Sequence, residues 1–190
     1  MTSKTHVTGL ILAGGAGRRV GNRDKGLIPW QGKPLVAHVS ARLRPQVDEL
    51  LISCNRNARF YTQFATLTVA DNLPHYQGPL AGLEAASAHI KTEFVVVVGC
   101  DTPCLPRDLV SRLLSPLADP TAARREIAYA HDGRRAHYLC AALRRECLSS
   151  LPLFLATGKR AVHEWYGSRA AIKVDFSGQE SCFRNINELT

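Results

Sequence analysis

The sequence predicts a three-layer, doubly wound α/β fold around a mostly parallel, mixed sheet. Short apolar runs alternate four times with segments of helical spacing, which is the pattern of strand–helix–strand units. Two later apolar runs flank the segment HDGRR at residues 131–135, which indicates a tight hairpin and an antiparallel strand. The length of 190 residues favours one domain with one core, and we expect residues 1–6 to form a loose tail.

Seven short apolar runs are the strand candidates. The run FVVVV at residues 94–98 contains no polar residue, so we expect it to be buried on both faces of the sheet. The other runs are typical of strands because they are short and apolar, and the first of them ends directly before the glycines at residues 14 and 15. The predicted strands are residues 7–13, 49–53, 67–70, 94–98, 127–130, 138–142 and 171–176.

Six segments have the apolar spacing of helices. Pro34 precedes the first of them, where its fixed backbone angle suits a first helical turn. Residues 116–125 are polar and contain two prolines, which predicts a surface loop. The predicted helices are residues 35–43, 58–64, 80–89, 106–114, 144–151 and 160–165.

Composition excludes several classes of protein. The longest apolar run, residues 94–98, is far shorter than the roughly 20 residues of a membrane helix. The first residues lack a signal-peptide apolar core, so we expect a cytoplasmic protein that is not associated with a membrane. The six cysteines form no C-x-x-C pair, which predicts neither a zinc site nor a disulfide framework.

Three explanations are compatible with the net charge of +8. The charge could simply keep the protein soluble, bind a nucleic acid, or bind a small anionic ligand. Basic residues are spread along the chain and no nucleic-acid-binding motif is visible, so we expect no nucleic-acid partner. A local cluster favours the small anion. Arg18, Arg19, Arg23 and Lys25 crowd one glycine-rich loop.

That loop, LILAGGAGRRVGNRDKGL at residues 10–27, predicts a phosphate-binding site because glycines expose backbone N–H groups that form a nest for anions. The dinucleotide pattern G-x-G-x-x-G is absent, since GAG at residues 15–17 is followed by Arg-Arg-Val. The P-loop pattern is also absent, because Gly32-Lys33 is followed by Pro34.

Polar residues follow the next three strands as well. Asn55 follows the second strand, Asp71 follows the third, and Asp101 follows the fourth. Open parallel sheets bind ligands outside the carboxyl ends of their strands, so these residues and the glycine loop are predicted to line one crevice.

The glycine loop and the following DKGL resemble the opening signature L-A-G-G-x-x-x-R-M-G…D-K of the nucleotidyltransferases that activate sugars and cofactors. Within them the chain most resembles the molybdenum cofactor guanylyltransferases. Val20 departs from the usual Met, and residues 118–125 match no motif. The further matches are Asn55, Asp71, GPLAG at 78–82, CDTPCLP at 100–106, AHDG at 130–133 and NIN at 185–187.

The resemblance implies a single Rossmann-like nucleotidyltransferase domain over residues 1–190. The implied reaction transfers GMP from GTP to the phosphate of molybdopterin, or of Mo-molybdopterin, and releases pyrophosphate with Mg²⁺ as cofactor. Other cofactor-biosynthesis proteins and molybdoenzyme chaperones are further candidate partners.

The resemblance also implies a set of site residues. Asp101 is the implied magnesium ligand and catalytic residue, and Lys25 and Arg19 are the implied catalytic contacts to the triphosphate. The implied GTP site comprises Leu12, Ala13, Gly14, Gly15, Arg19, Lys25, Asn55, Asp71, Gly78, Pro79, Leu80, Gly82 and Asp101. The implied molybdopterin site comprises Lys159, Arg160, Asn185 and Asn187.

The same residues are compatible with different roles. Asp101 also suits a helix N-cap, and Asn55 and Asp71 suit ordinary turns. Sister enzymes that use CTP have the pattern L-A-A-G where this chain has LAGG at residues 12–15. The presence of a second glycine indicates room for a purine base and therefore favours GTP. A sugar-nucleotide pyrophosphorylase and a non-catalytic GTP- or cofactor-binding protein also stay open. The oligomeric state is not indicated.

Overall fold

Seven strands form one mixed sheet at the centre of the fold. The computed structural model describes residues 6–17, 21–72, 76–119, 121 and 123–186. The strands of the sheet are β1 (Val7–Leu12), β4 (Glu49–Ser53), β5 (Leu67–Val69), β6 (Phe94–Gly99), β7 (Ile127–His131), β8 (Ala136–Arg144) and β9 (Ala171–Asp175). Two further strands, β2 (Pro29–Trp30) and β3 (Lys33–Pro34), pair only with each other in a small hairpin.

The order in the large sheet is β5-β4-β1-β6-β8-β7-β9. Strands β5, β4, β1 and β6 pair in parallel, whereas β8 runs antiparallel to both β6 and β7. Parallel pairing of β7 with β9 completes the sheet. The predicted mostly parallel, mixed sheet is therefore confirmed, and its antiparallel strand belongs to the predicted hairpin.

Helices cover both faces of the sheet. On one face are α1 (Leu35–Leu43), α2 (Ala58–Tyr61) and α4 (Leu109–Ala118), and on the other are α3 (Pro79–Ser87), α5 (Leu151–Ala156) and α6 (Val162–Gly167). Alternation along β6 separates the two cores, because Val96 and Val98 pack on the first face while Val95 and Val97 pack on the second. The three-layer α/β prediction is confirmed.

Helix boundaries were predicted less well than strands. The helix predicted at residues 106–114 instead begins at Leu109 and continues through Pro116 to Ala118. Leu113 and Leu117 lie one turn apart and are both buried, so apolar packing outweighs the hydrogen bond that Pro116 cannot make. The loop predicted at residues 116–125 was therefore wrong for residues 116–118, which belong to α4.

Two other local predictions were wrong. Residues 144–151 were predicted to be helical, but Arg144 extends β8 opposite Phe94, and a 3-10 helix over Arg145–Ser150 leads into α5. Strand pairing therefore overrides the helical spacing of that segment. Helix α2 is also shorter than the predicted segment 58–64 and ends at Tyr61. No helix in the part of the chain that the structure describes is long and apolar enough to cross a membrane.

The packing of α4 can be tested with two leucines. Leu113→Ala should lower the free energy of unfolding by about 2–5 kcal/mol, because it leaves a cavity under a side chain that is 0% exposed. Leu153→Ala in α5 is the control, since that side chain is 77% exposed. Its loss should stay within about 0.5 kcal/mol in urea denaturation. Similar losses for both variants would contradict this placement of α4.

Candidate functional site

A cleft of about 320 Å³ lies at the carboxyl ends of the parallel strands. The register pairs Leu12 of β1 with Ser53 on one side and with Gly99 on the other, so three strands end at the same level. The predicted GTP-site residues that line this cleft are Leu12, Ala13, Gly14, Gly15, Lys25, Asp71, Gly78, Pro79, Gly82 and Asp101.

Two described members of the predicted GTP site, Asn55 and Leu80, do not line this cleft. Asn55 stands behind the cleft and reaches it through hydrogen bonds to its lining residues. Leu80 is buried in the core between α3 and the sheet. Arg19 lies outside the described residues, as does its neighbour Arg18.

Asn55 connects the glycine loop to Asp71. Its Nδ2 donates to the Gly14 carbonyl at 3.0 Å and to Asp71 Oδ2 at 2.7 Å, while its Oδ1 accepts the Asp71 backbone N–H at 2.9 Å. Burial raises the pKa of Asp71, and the hydrogen bonds from Asn55 and Ser53 oppose that rise. This end of the cleft therefore presents a fixed carboxylate in a partly desolvated position.

The glycine loop folds back on itself beside Asn55. Gly17 has φ of +69°, and a Cβ atom there would lie 2.0 Å from the Arg23 carbonyl oxygen, so only glycine fits. Arg56 fixes the loop from the other side, because its guanidinium donates to the carbonyls of Asn22 at 2.7 Å and Gly15 at 3.3 Å. Sequence reasoning missed Arg56, although a basic residue directly after Asn55 was a usable signal.

The DKGL segment is anchored to α2. Asp24 accepts hydrogen bonds from the Tyr61 hydroxyl at 2.5 Å and from Asn57 Nδ2 at 2.9 Å. Gly26 lies against the Tyr61 ring, where a Cβ atom would approach the hydroxyl to 2.4 Å. These contacts set the direction in which the intervening Lys25 leaves the backbone.

Lys25 and Asp101 form an ion pair at the centre of the site. Lys25 Nζ donates to Asp101 Oδ2 at 2.5 Å, and the two side chains are 25% and 15% exposed. Asp101 follows β6, and α4 begins only at Leu109, so the N-cap role considered for Asp101 is excluded. The neighbouring Cys100 is buried, which raises the pKa of its thiol and leaves it unreactive.

A second cleft of about 310 Å³ adjoins the first, and both are lined by Pro79, Asp101 and Leu139. Asn185 lines this second cleft, where its Oδ1 accepts a hydrogen bond from the Thr102 hydroxyl at 3.1 Å. Asp101 therefore stands where the two clefts adjoin.

Two other residues that were predicted to hold molybdopterin, Lys159 and Arg160, are not part of this cleft. Among the described residues, the set that lines the second cleft does not include Lys159 or Arg160. Lys159 is exposed, and the Arg160 guanidinium donates to Gln77 Oε1 at 3.0 Å and to the Leu155 carbonyl at 2.8 Å. Asn187 lies outside the described residues.

Comparison with known proteins agrees with this architecture. The sequence model of the family described as MobA-like NTP transferase domain matches residues 9–171. A molybdenum cofactor guanylyltransferase from Shewanella piezotolerans is 40% identical over 181 residues, which is 95% of this chain and 87% of that protein. Another with the same name, from Shewanella halifaxensis, is 39% identical over 95% of this chain and 89% of its own length.

The fold is also found in solved structures. The crystal structure of molybdopterin-guanine dinucleotide biosynthesis protein A from Archaeoglobus fulgidus matches with a TM-score of 0.77 at 19% identity. The match covers 95% of this chain and 92% of that one. A protein from Aquifex aeolicus matches with a TM-score of 0.79 at 22% identity, over 99% and 96% of the two chains.

The environment of Asp71 predicts a pH-dependent gain in stability for Asp71→Asn. A carboxyl whose pKa is raised by folding holds its proton more tightly in the folded state, so it costs stability as pH rises above its unfolded pKa. The variant should be more stable than the wild type at pH 7, and the difference should vanish towards about pH 4 in urea denaturation.

Asp175→Asn is the control with the opposite sign. The Ser177 hydroxyl and backbone N–H lower the pKa of Asp175, so its ionised form stabilises the fold at neutral pH, and this contribution is lost as pH falls. This variant should be the less stable one at pH 7. An Asp71→Asn protein that is also less stable at pH 7 would contradict the burial argument.

Proposed function

The chain belongs to the molybdenum cofactor guanylyltransferase family and carries a MobA-like NTP transferase domain; on that premise we propose that it transfers GMP from GTP to the phosphate of molybdopterin and releases pyrophosphate. The observation that carries this proposal is the Lys25–Asp101 pair at the junction of two clefts. A donor nucleotide in the first cleft and an acceptor in the second would meet beside these two side chains.

The base end of the first cleft favours guanine. Guanine presents an N1–H and an N2–H₂ donor on one edge, which a carboxylate such as Asp71 accepts. Gly14 distinguishes this chain from the L-A-A-G pattern, and a Cβ atom there would lie 3.0 Å from Asn55 Nδ2 and 3.5 Å from Asp71 Oδ1. An alanine at this position would narrow the base end, which supports GTP over CTP.

The donor set fits a magnesium ion that is held mainly by its substrate. Within the described residues no group of three or more His, Cys, Asp or Glu side chains is placed to hold a metal. Mg²⁺ characteristically uses one or two carboxylates together with substrate phosphates and water, so the single carboxylate of Asp101 is sufficient. When bound there it would neutralise charge on the nucleotide phosphates.

The protein's part in the reaction is to position the substrates and to neutralise charge. The acceptor phosphate is already anionic at neutral pH, so no strong base is needed. One of its oxygens attacks the α-phosphorus of GTP in line with the departing pyrophosphate, and the bond between the α-phosphorus and its bridging oxygen breaks. Lys25 and the glycine loop would bind the triphosphate, and no covalent enzyme intermediate forms. We place the reaction in the cytoplasm, because it consumes GTP.

The central test is release of pyrophosphate on mixing GTP, Mg²⁺ and molybdopterin with the protein. Asp101→Asn should lower the turnover by about 100-fold or more at every magnesium concentration. The amide would no longer hold the magnesium ion that neutralises charge on the reacting phosphates. Asp108→Asn is the control, since that carboxylate is 52% exposed and pairs with Arg112. Turnover near the wild-type rate in Asp101→Asn would refute the proposed role of Asp101.

The same assay separates the competing functions. Release with CTP instead of GTP would assign the chain to the cytidylyl reaction. Binding of GTP without release on adding molybdopterin would identify a non-catalytic binding protein.

Lys25→Ala tests whether this lysine binds phosphate. The variant should weaken binding of GTP by about 10-fold or more and leave binding of guanosine nearly unchanged, because only GTP carries the charge that Lys25 neutralises. Isothermal calorimetry with both ligands measures the difference. Lys91→Ala on the exposed surface is the control. Equal weakening for GTP and guanosine in Lys25→Ala would remove Lys25 from the phosphate site.

A further inference from the structure

The hairpin between β7 and β8 contains a buried carboxylate to which the proposed reaction gives no role. Asp132 Oδ1 accepts the backbone N–H groups of Arg134 at 2.9 Å and Arg135 at 2.8 Å, and its Oδ2 lies 2.7 Å from His137 Nε2. The side chains of Asp132 and His137 are only 6% and 9% exposed. Such a pair fixes both the turn and the imidazole ring.

The carboxylate of Asp132 stays ionised in this setting. Burial by itself disfavours its charge, but the N–H groups of Arg135 and Arg134 and the contact with His137 together hold the pKa below its ordinary value. His137 Nε2 therefore donates to Asp132, and the other ring nitrogen, Nδ1, is left for a ligand.

His137 presents that nitrogen on a rigid ring. The imidazole stacks on Phe183, with ring centroids 4.7 Å apart and an interplanar angle of 22°. His137 lines the second cleft, and among the described residues Nδ1 has no hydrogen-bond partner. The Nδ1 atom of a neutral ring accepts a hydrogen bond from the P–OH group of a phosphate monoanion, and that of a protonated ring donates a hydrogen bond to a dianion, so Nδ1 can contact phosphate in either form.

Arg135 adds a positive charge to the same cleft. Its backbone N–H is held by Asp132, and its exposed side chain lines the second cleft. Within the described part of the chain its guanidinium makes no ion pair or hydrogen bond. Arg134 stands next to it, is equally exposed, and does not line this cleft.

We propose that Arg135 and His137 bind the phosphate of the acceptor substrate, and that Asp132 is a positioning residue that orients His137. The proposal rests on the proposed function, because the acceptor there is a phosphate monoester. Asp101 also lines this cleft, so a phosphate held by Arg135 and His137 would lie beside the reacting end of the nucleotide. Arg160 fits this role less well, since its guanidinium is already bonded to Gln77 and to the Leu155 carbonyl.

Two substitutions test the ligand contacts. Arg135→Gln should raise the KM for molybdopterin roughly 10-fold to 100-fold while the KM for GTP stays within about twofold, because a charged hydrogen bond to one substrate is lost. His137→Gln should do the same, since its amide nitrogen can replace Nε2 in the bond to Asp132 but nothing replaces Nδ1. Arg134→Gln is the matched control and should leave both KM values unchanged.

A further pair of variants tests the positioning role of Asp132. Asp132→Asn should raise the KM for molybdopterin, and adding it to His137→Gln should raise that KM no further, because Asp132 acts through His137. If Asp132 had only a structural role, the double variant would have a higher KM for molybdopterin than His137→Gln alone. The KM for GTP would change as well. That result would overturn its assignment as a positioning residue.

A binding measurement tests this proposal independently of the proposed function, because it does not require transfer of GMP. Calorimetry with molybdopterin and with its dephosphorylated form should show that wild type prefers the phosphorylated ligand and that Arg135→Gln and His137→Gln lose this preference. That result supports the proposal even if no GMP is transferred. The proposal is overturned if Arg135→Gln behaves like Arg134→Gln, if Lys159→Ala alone abolishes the preference, or if wild type shows no preference.

Discussion

The parallel pairing of β1 with both β4 and β6 is the constraint on which the site depends. It sets Leu12 opposite Ser53 and Gly99, so three strands end side by side. The carboxyl end of each strand then supplies one part of the first cleft: the glycine loop after β1, Ser53 at the end of β4 and Asp101 after β6. A shift of register by one residue would turn every side chain of a strand to the other face and would separate these groups.

Within this frame, polar contacts fix the loops that apolar packing leaves unconstrained. Asn55 joins the Gly14 carbonyl to Asp71, and Arg56 holds the carbonyls of the glycine loop. Asp24, bonded to Tyr61, directs the lysine that follows it towards Asp101. Backbone groups and a few fixed side chains can then meet a highly charged substrate without large rearrangement, which is the condition for electrostatic catalysis.

The second half of the sheet has a different role. Strand β8 runs antiparallel beside β6, and the buried pair of Asp132, in the turn before β8, and His137, in β8, lies at the second cleft. Among the described residues, Pro79, Asp101 and Leu139 line both clefts. Parallel strands with their loops thus line the first cleft, and the antiparallel hairpin contributes to the second.

The sequence by itself predicted the seven strands of the large sheet and the three-layer fold class, because apolar runs are local signals. Residues at strand ends indicated the glycine loop, Asp71 and Asp101 in the first cleft, whereas Gly78, Pro79 and Gly82 were implied by the family resemblance. The sequence did not place α4 or the 3-10 helix before α5, where burial of Leu113 and pairing of Arg144 override local spacing. Only the tertiary structure joined Lys25 to Asp101, 76 positions apart, and set β8 between β6 and β7. Such contacts depend on how the strands are ordered, and strand order is decided by packing of the whole chain rather than by any one segment.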